Sequence, residues 1–283
     1  MTPEPWDDSA LAFRCADDWL YGVLSLPRRP ARRGVLIVVG GPQYRAGSHR
    51  QFTLLARSLA ERGIAAMRFD YRGMGDSQGA MRDFESVNDD LRAALDAFTG
   101  AVPGLDDITL WGLCDAASAI AMYAASDARV GGLVLLNPWV RTDDGLARAT
   151  LKHYYRGRLM EPEFWRKLAR GRFDLAGSLK SMAKLAGTAL RPAKPDGGAR
   201  LPLPQRMLAG MHAFQGRVLV ITSGADLTAR EFCDLGAATP AWKNLLESAR
   251  VTRHQIDQAD HTFSRRAWRD QVAQWTCAWI GAD

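Results

Sequence analysis

Short apolar runs alternate along the chain with longer segments whose apolar positions repeat with the period of a helix. Such runs are typical of strands buried on both faces of a parallel sheet. They occupy residues 34–39, 64–71, 108–110, 132–137 and 216–223, with a weaker run at 250–256. Looser alternation over residues 13–26 predicts an earlier antiparallel strand or hairpin. Helices are predicted at residues 51–62, 84–99, 116–125 and 265–280, and shorter ones around 232–235 and 242–247.

The strand–helix alternation from residue 34 to 139 predicts an α/β fold with a mostly parallel central sheet flanked by helices. Residues 141–215 break the pattern. They contain no strand-like run, and they predict helices at 146–160, 163–169 and 175–190 followed by a Pro/Gly-rich linker at 191–204. We therefore expect an α/β core made of residues 1–140 and 216–283, with 141–215 as a helical cap inserted between the sixth and seventh strands.

Composition places the chain among ordinary globular proteins, with 283 residues, 47% of them hydrophobic and 24% charged. No apolar run approaches the roughly 20 residues of a transmembrane helix. The first residues lack the basic and apolar segments of a signal peptide. We expect a cytoplasmic protein without a transmembrane segment, and the sequence does not indicate its oligomeric state.

Positive charge is concentrated in the predicted cap, where 15 Lys and Arg face 6 Asp and Glu although the whole chain carries only +6. A solvated helical face explains part of this excess. The remainder predicts an anionic group on the substrate. No nucleic-acid-binding motif accompanies the charge, so nucleic acid is not an expected partner.

The four cysteines, Cys15, Cys114, Cys233 and Cys277, lie far apart and form no Cys-x-x-Cys pair. A zinc site is therefore not expected, and disulfides are not expected in a reducing cytosol. The Gly-rich loop at residues 70–77 lacks the spacing of a nucleotide-binding loop. The sequence thus predicts neither a metal nor a cofactor.

Cys114 lies in a Gly-x-Cys-x-Ala pattern, Gly112 to Ala116, between a strand run and an Ala-rich helical run. This is the context of a nucleophile elbow, in which a sharp turn presents a nucleophile at a helix N-terminus. The pattern is weak alone, because a single cysteine is more often a small core residue. It gains weight if the chain also supplies a base, an acid and an oxyanion hole.

Asp226 and His261 supply the missing acid and base in the chain order of the α/β-hydrolase triad. Each follows a predicted strand, and the carboxyl ends of parallel strands meet at the edge where such sheets place their sites. Asp257 and Asp260 remain alternative acids, although Asp260 adjoins His261 and adjacent side chains rarely orient each other. His153 and His212 are candidates for lining the pocket from the predicted cap.

In this interpretation Cys114 attacks an acyl carbon as a thiolate, which the helix N-terminus and a nearby imidazolium favour. His261 takes the thiol proton or holds an ion pair, then protonates the leaving group and activates water. Asp226 orients His261. The oxyanion hole is predicted to consist of the N–H groups of Gly41 and Asp115.

Five segments together resemble α/β-hydrolases of the bacterial serine aminopeptidase-like and feruloyl-esterase-like branch, over nearly the whole chain. They are residues 40–42 (Gly-Gly-Pro), 69–77 (Phe-Asp-Tyr-Arg-Gly-Met-Gly-Asp-Ser), the elbow at 112–116, 224–226 (Gly-Ala-Asp) and 260–263 (Asp-His-Thr-Phe). The cysteine elbow, residues 39–43 and the basic insertion are most similar to hydrolase 1 of the exosortase A system. Many relatives have His in place of Val39, and Ser and Gly are common in place of Cys114 and Ala116.

The resemblance implies an acyl ester or thioester substrate, small or carrier-bound, connected with exopolysaccharide or surface-protein processing. Dienelactone hydrolases are similar in using a Cys-His-Asp triad. Two alternatives stay open: an acyltransferase that uses the same triad, and a non-catalytic binding protein that has kept the fold.

Overall fold

The computed structural model describes residues 6–41, 43–140 and 201–281. Within these ranges eight strands form one sheet in the order β1-β2-β4-β3-β5-β6-β7-β8. The strands are β1 Trp6–Cys15, β2 Asp18–Pro27, β3 Arg33–Val38, β4 Ala65–Asp70, β5 Asp107–Leu113, β6 Val130–Leu136, β7 Arg217–Ser223 and β8 Val251–Ile256.

The sheet begins with an antiparallel hairpin, β1–β2, and β2 also pairs antiparallel with β4. All other pairings, from β4–β3 through β7–β8, are parallel. Each apolar run of the sequence is a strand of this sheet, and the alternating segment near the N-terminus is the hairpin. The predicted α/β fold class is confirmed.

Seven α-helices in the described ranges cover the two faces of the sheet. They are α1 Gln51–Glu61, α2 Asn88–Ala101, α3 Asp115–Tyr123, α4 Leu203–Ala213, α5 Leu227–Ala238, α6 Pro240–Leu246 and α7 Arg266–Gly281. Buried side chains of α1 and α7 form one apolar cluster with the sheet. Those of α2 through α6 form the second cluster on the opposite face. Both faces of the central strands are therefore covered, which explains their continuous apolar runs.

Two helices differ from the sequence-based expectation. The structure begins α2 at Asn88, not at Phe84, because the Asp83 carboxylate accepts hydrogen bonds from the Glu85 N–H and the Ser86 hydroxyl and holds a turn there. Helix α4 was not predicted at all. It buries Met207 and Met211 in the same apolar cluster as α3.

The predicted cap falls largely outside the described residues, as do the helices expected at 146–160, 163–169 and 175–190. Helix α4 lies inside the range 141–215 that we assigned to the cap, yet it packs against α3. The end of that range therefore belongs with the apolar core. The cap itself stays a prediction.

Candidate active site

Cys114 forms the sharp turn between β5 and α3, with φ 62° and ψ −123°. A non-glycine residue with positive φ is strained unless surrounding bonds hold it. Here the Cys114 N–H donates to the Leu136 carbonyl at 2.8 Å, and the Cys114 carbonyl accepts from the Trp139 N–H at 3.2 Å. Gly112 lets the start of α3 pack close against β5, because a Cβ at this position would lie 2.8 Å from the Ala116 backbone. The turn thus has the geometry of a nucleophile elbow.

His261 follows β8 and lies beside the elbow. Its Nδ1 is 2.9 Å from Oδ2 of Asp226, which follows β7. The same Asp226 oxygen accepts the Ala229 N–H at 3.0 Å and caps helix α5, which fixes the carboxylate in place. The Cys114 side chain acts on the pKa of this imidazole, and both residues line the same cavity. The structure therefore brings the three predicted triad residues together.

The protonation of the His261–Asp226 pair follows from these contacts. Hydrogen bonds to Asp226 and Cys114 raise the pKa of His261 from 6.5 to about 10, against the opposing effect of burial. Burial disfavours the charge on Asp226, but His261 and the amides of Ala229 and Thr228 outweigh it and lower the pKa of Asp226. At neutral pH His261 is therefore protonated and the site holds an imidazolium.

Asn137 is a site residue that the sequence analysis missed. It directly follows β6 with φ 42° and is fully buried. Its side-chain amide donates to the His261 carbonyl at 2.9 Å and to the Ser223 hydroxyl at 2.8 Å. Its side-chain oxygen accepts the Ser223 N–H at 2.8 Å. It therefore fixes the His261 loop to the end of β7. A polar residue between an apolar run and Pro138 was the available signal.

The alternative acids have other partners. Asp260 accepts from the Ser264 N–H and hydroxyl, and Asp257 accepts from the Gln255 side chain at 2.7 Å. His212 is exposed on α4 and does not line the cavity at Cys114 that the described residues form. His153 lies outside the described residues.

One of the two predicted oxyanion donors, the Gly41 N–H, has an unexpected partner, the carboxylate of Asp115. Its Oδ2 accepts the Gly41 N–H at 2.9 Å, and its Oδ1 accepts the Ala116 N–H at 2.9 Å. Burial raises the pKa of Asp115, and these amides together with the charge of His261 only partly offset that rise.

A cavity of about 370 Å³ opens at the elbow among the described residues. Its walls include Cys114, His261, Asp115, Gly41, Phe52 and Trp139. The sulfur atom is thus next to a space that can hold a small acyl group.

Other classes of site find no support in the described ranges. No group of three or more His, Cys, Asp or Glu side chains there could hold a metal ion. None of the helices described is both long enough and apolar enough to cross a bilayer. All four cysteines are free thiols.

The Gly-rich loop after β4 is tied together internally. The Arg72 guanidinium and N–H bond to both oxygens of the buried Asp90 carboxylate at 2.8 to 3.0 Å. Asp70 accepts the Arg45 N–H at 2.6 Å and pairs with the Arg45 guanidinium. The Gly73 N–H donates to the Gln78 carbonyl at 3.0 Å. The loop is a structural brace for the sheet edge.

A family model described as serine aminopeptidase, S33, matches residues 30–174, just over half of the chain and including the elbow. The chain belongs to this family. The family name refers to a serine, whereas this member of the serine aminopeptidase family has Cys114 at the elbow. No curated protein matches the sequence at a significant level.

Solved structures similar to this family member share its fold at low sequence identity. An esterase of Pyrococcus furiosus gives a TM-score of 0.66 at 13% identity, covering 98% of this chain and 91% of that one. A dienelactone hydrolase of Anabaena variabilis gives 0.62 at 15% identity, with 98% of each chain covered. A lidless α/β serine hydrolase of Xanthomonas campestris gives 0.57 at 18% identity, covering 98% and 97%. The chain has the α/β-hydrolase fold.

Proposed function

We propose that the protein is a hydrolase that cleaves an acyl ester or thioester through a covalent acyl-enzyme on Cys114. The observation that carries the proposal is the strained Cys114 turn beside an imidazole that is itself hydrogen-bonded to Asp226 at 2.9 Å. Nucleophile, base and orienting acid in that arrangement form the template for acyl transfer.

The reaction follows from the positions of these groups. The Cys114 thiolate attacks the acyl carbon and the carbonyl oxygen becomes an oxyanion. His261 Nε2 donates its proton to the departing alkoxide or thiolate as the bond to the acyl carbon breaks. His261 then takes a proton from water, which attacks the acyl-enzyme and releases the acid. Asp226 keeps Nδ1 protonated and the ring aimed at the sulfur.

The substrate class rests on two supports of unequal kind. A thiolate exchanges readily with thioesters, which favours thioester or activated ester substrates. The 15 Lys and Arg of residues 141–215 favour an anionic group on that substrate, small or carrier-bound. A link to exosortase and exopolysaccharide systems rests on the sequence resemblance alone.

Four free cysteines support a reducing compartment, consistent with a cytoplasmic location.

Steady-state hydrolysis of short acyl thioesters and p-nitrophenyl esters tests the proposal. Cys114→Ala should lower kcat by about 10³-fold or more, because it removes the nucleophile. Cys277→Ala, at a buried thiol in α7, is the matched control and should leave kcat unchanged. Equal turnover by the wild type and Cys114→Ala would refute the cysteine mechanism.

The same assay with added alcohol acceptors separates hydrolysis from acyl transfer. Faster formation of acylated acceptor than of free acid would identify an acyltransferase on the same triad. Absence of both products, with a folded protein whose Cys114 can still be alkylated, would favour the binding-protein alternative.

A further inference from the structure

The carboxylate of Asp115 occupies the place where the substrate oxyanion is expected. The Gly41 amide, one of the two donors predicted to stabilise that oxyanion, donates to Oδ2 of Asp115 at 2.9 Å. An oxyanion and a carboxylate oxygen carry the same charge and accept the same hydrogen bonds. They therefore compete for one donor.

The surrounding backbone accommodates this carboxylate closely. A Cβ added at Gly40 would collide with Asp115 Oδ1, so the glycine leaves the space that the carboxylate fills. Oδ1 also accepts the Ala116 N–H at the first turn of α3, where the helix dipole favours an anion. The His261 imidazolium is the charged group that acts on this carboxylate among the described residues, and the Tyr71 phenol lies on the β4 side. Asp115 thus has a defined position rather than a solvent-facing one.

Burial of this carboxylate is unfavourable, and the amides only partly offset the loss of water. A leucine or methionine after the nucleophile would avoid that penalty. An ionisable group kept at such a site, against its own desolvation, points to a functional role.

We infer that Asp115 gates the oxyanion hole: its carboxylate holds the Gly41 N–H until a bound substrate displaces it, so that acylation of Cys114 requires displacement. The inference rests on the proposed acyl-enzyme. Small reactive esters, which supply little binding energy away from the reacting carbonyl, acylate the wild type slowly. A substrate with a larger bound portion uses that energy to displace the carboxylate. Asp115 is in this way a specificity-determining residue.

Two rate constants on the same thiol test the gate. Acylation by p-nitrophenyl acetate needs an oxyanion hole, whereas alkylation by iodoacetamide does not, and both depend on the same thiolate. The ratio of the acylation rate constant to the alkylation rate constant therefore corrects for any change in the thiolate fraction that the altered charge causes. Asp115→Ala should raise this ratio about tenfold to a hundredfold, the range expected for removing a hydrogen bond to a charged group. Asp115→Asn, which keeps a neutral acceptor, should raise it less.

Asp257→Asn is the control, since this carboxylate bonds to Gln255 away from the cavity, and its ratio should equal that of the wild type. Circular dichroism confirms that each variant is folded, and Asp115→Asn serves if Asp115→Ala does not fold. An unchanged or lower ratio in both Asp115 variants would overturn the gate and make Asp115 neutral or helpful to catalysis.

A second readout separates failure of the gate from failure of the proposed function. If Cys114 is alkylated but never acylated in any variant, the acyl-enzyme proposal fails by itself. The Gly41 amide proton resonance then decides about Asp115. It should shift with pH as Asp115 titrates and lose that shift in Asp115→Ala. An identical pH profile in both proteins would contradict the claim that the Asp115 carboxylate binds the Gly41 N–H.

Discussion

Two Gly-containing loops leave the carboxyl ends of β4 and β5, on either side of β3, and they treat their charges in opposite ways. The two fully buried carboxylates beside the β4 loop each have a cationic partner: Asp90 of α2 pairs with Arg72, and Asp70 at the end of β4 pairs with Arg45. In the β5 loop the half-buried Asp115 carboxylate has only backbone amides as hydrogen-bond partners in the described residues. Carboxylates paired with arginines around the first loop indicate a brace, and a carboxylate held by amides beside His261 in the second indicates a site.

Backbone strain separates the same two loops. The positive φ values of the β4 loop belong to Gly73, Gly75 and Gly79, where no side chain resists them. The β5 loop places a cysteine at φ 62°. Strain retained at a residue with a reactive side chain, next to an imidazole, is the more informative of the two signals.

Asp226→Asn should have the largest effect on the β5 side of this comparison. It removes the carboxylate that raises the pKa of His261, so that pKa should fall from about 10 toward 6.5. Near pH 8 the imidazolium is then lost. We expect kcat to fall about 10²- to 10⁴-fold, as in triads that lose their acid. Histidine NMR and steady-state kinetics measure the two effects.

Asp257→Asn is the control for that change, because Asp257 was the competing acid in the sequence and bonds to Gln255 in the structure. A loss in Asp257→Asn as large as in Asp226→Asn would contradict the assignment of the acid.

Arg72→Met should have the largest effect on the β4 side, and on stability instead of chemistry. It leaves the fully buried Asp90 carboxylate without its cation, which destabilises a protein by about 3–5 kcal/mol. Urea unfolding measures the change. The matched Arg32→Met breaks an exposed pair with Asp106 and should lower the free energy of unfolding by about 1 kcal/mol or less. Similar losses in both variants would deny the β4 loop its bracing role.

Cys114→Gly should change stability by the smallest amount of these variants, and it should stabilise the fold instead of destabilising it. Glycine adopts positive φ without strain, so the free energy of unfolding should rise by about 1 kcal/mol while activity is lost. Ala278→Gly, at an exposed helical position of α7, should instead lower it by about 0.5–1 kcal/mol. Destabilisation by Cys114→Gly would mean that the elbow stores no strain.

The fold was predictable because its signal is local. Each buried strand is a continuous apolar run, and the positions of Cys114, Asp226 and His261 after predicted parallel strands place all three at one sheet edge. The motif at residues 69–77 looked more distinctive than the elbow, but its residues proved to hold the sheet edge together.

What escaped the sequence depends on tertiary contacts. Helix α4 follows a Pro/Gly-rich segment and is stabilised by Met207 and Met211 packing near α3. Asn137 matters because β7 and the His261 loop converge on its side chain. The position of the Asp115 carboxylate is set by the Gly40-Gly41 backbone from a distant part of the chain.

The central claim is that Cys114 carries the acyl group, and intact-protein mass spectrometry of an acid-quenched reaction tests it most directly. The wild type and Cys277→Ala, mixed with an acyl thioester and quenched during turnover, should each gain the mass of one acyl group, which peptide mapping locates on Cys114. Cys114→Ala should gain none. Turnover by a wild type that never carries an acyl group, or an adduct that persists in Cys114→Ala, would contradict the account.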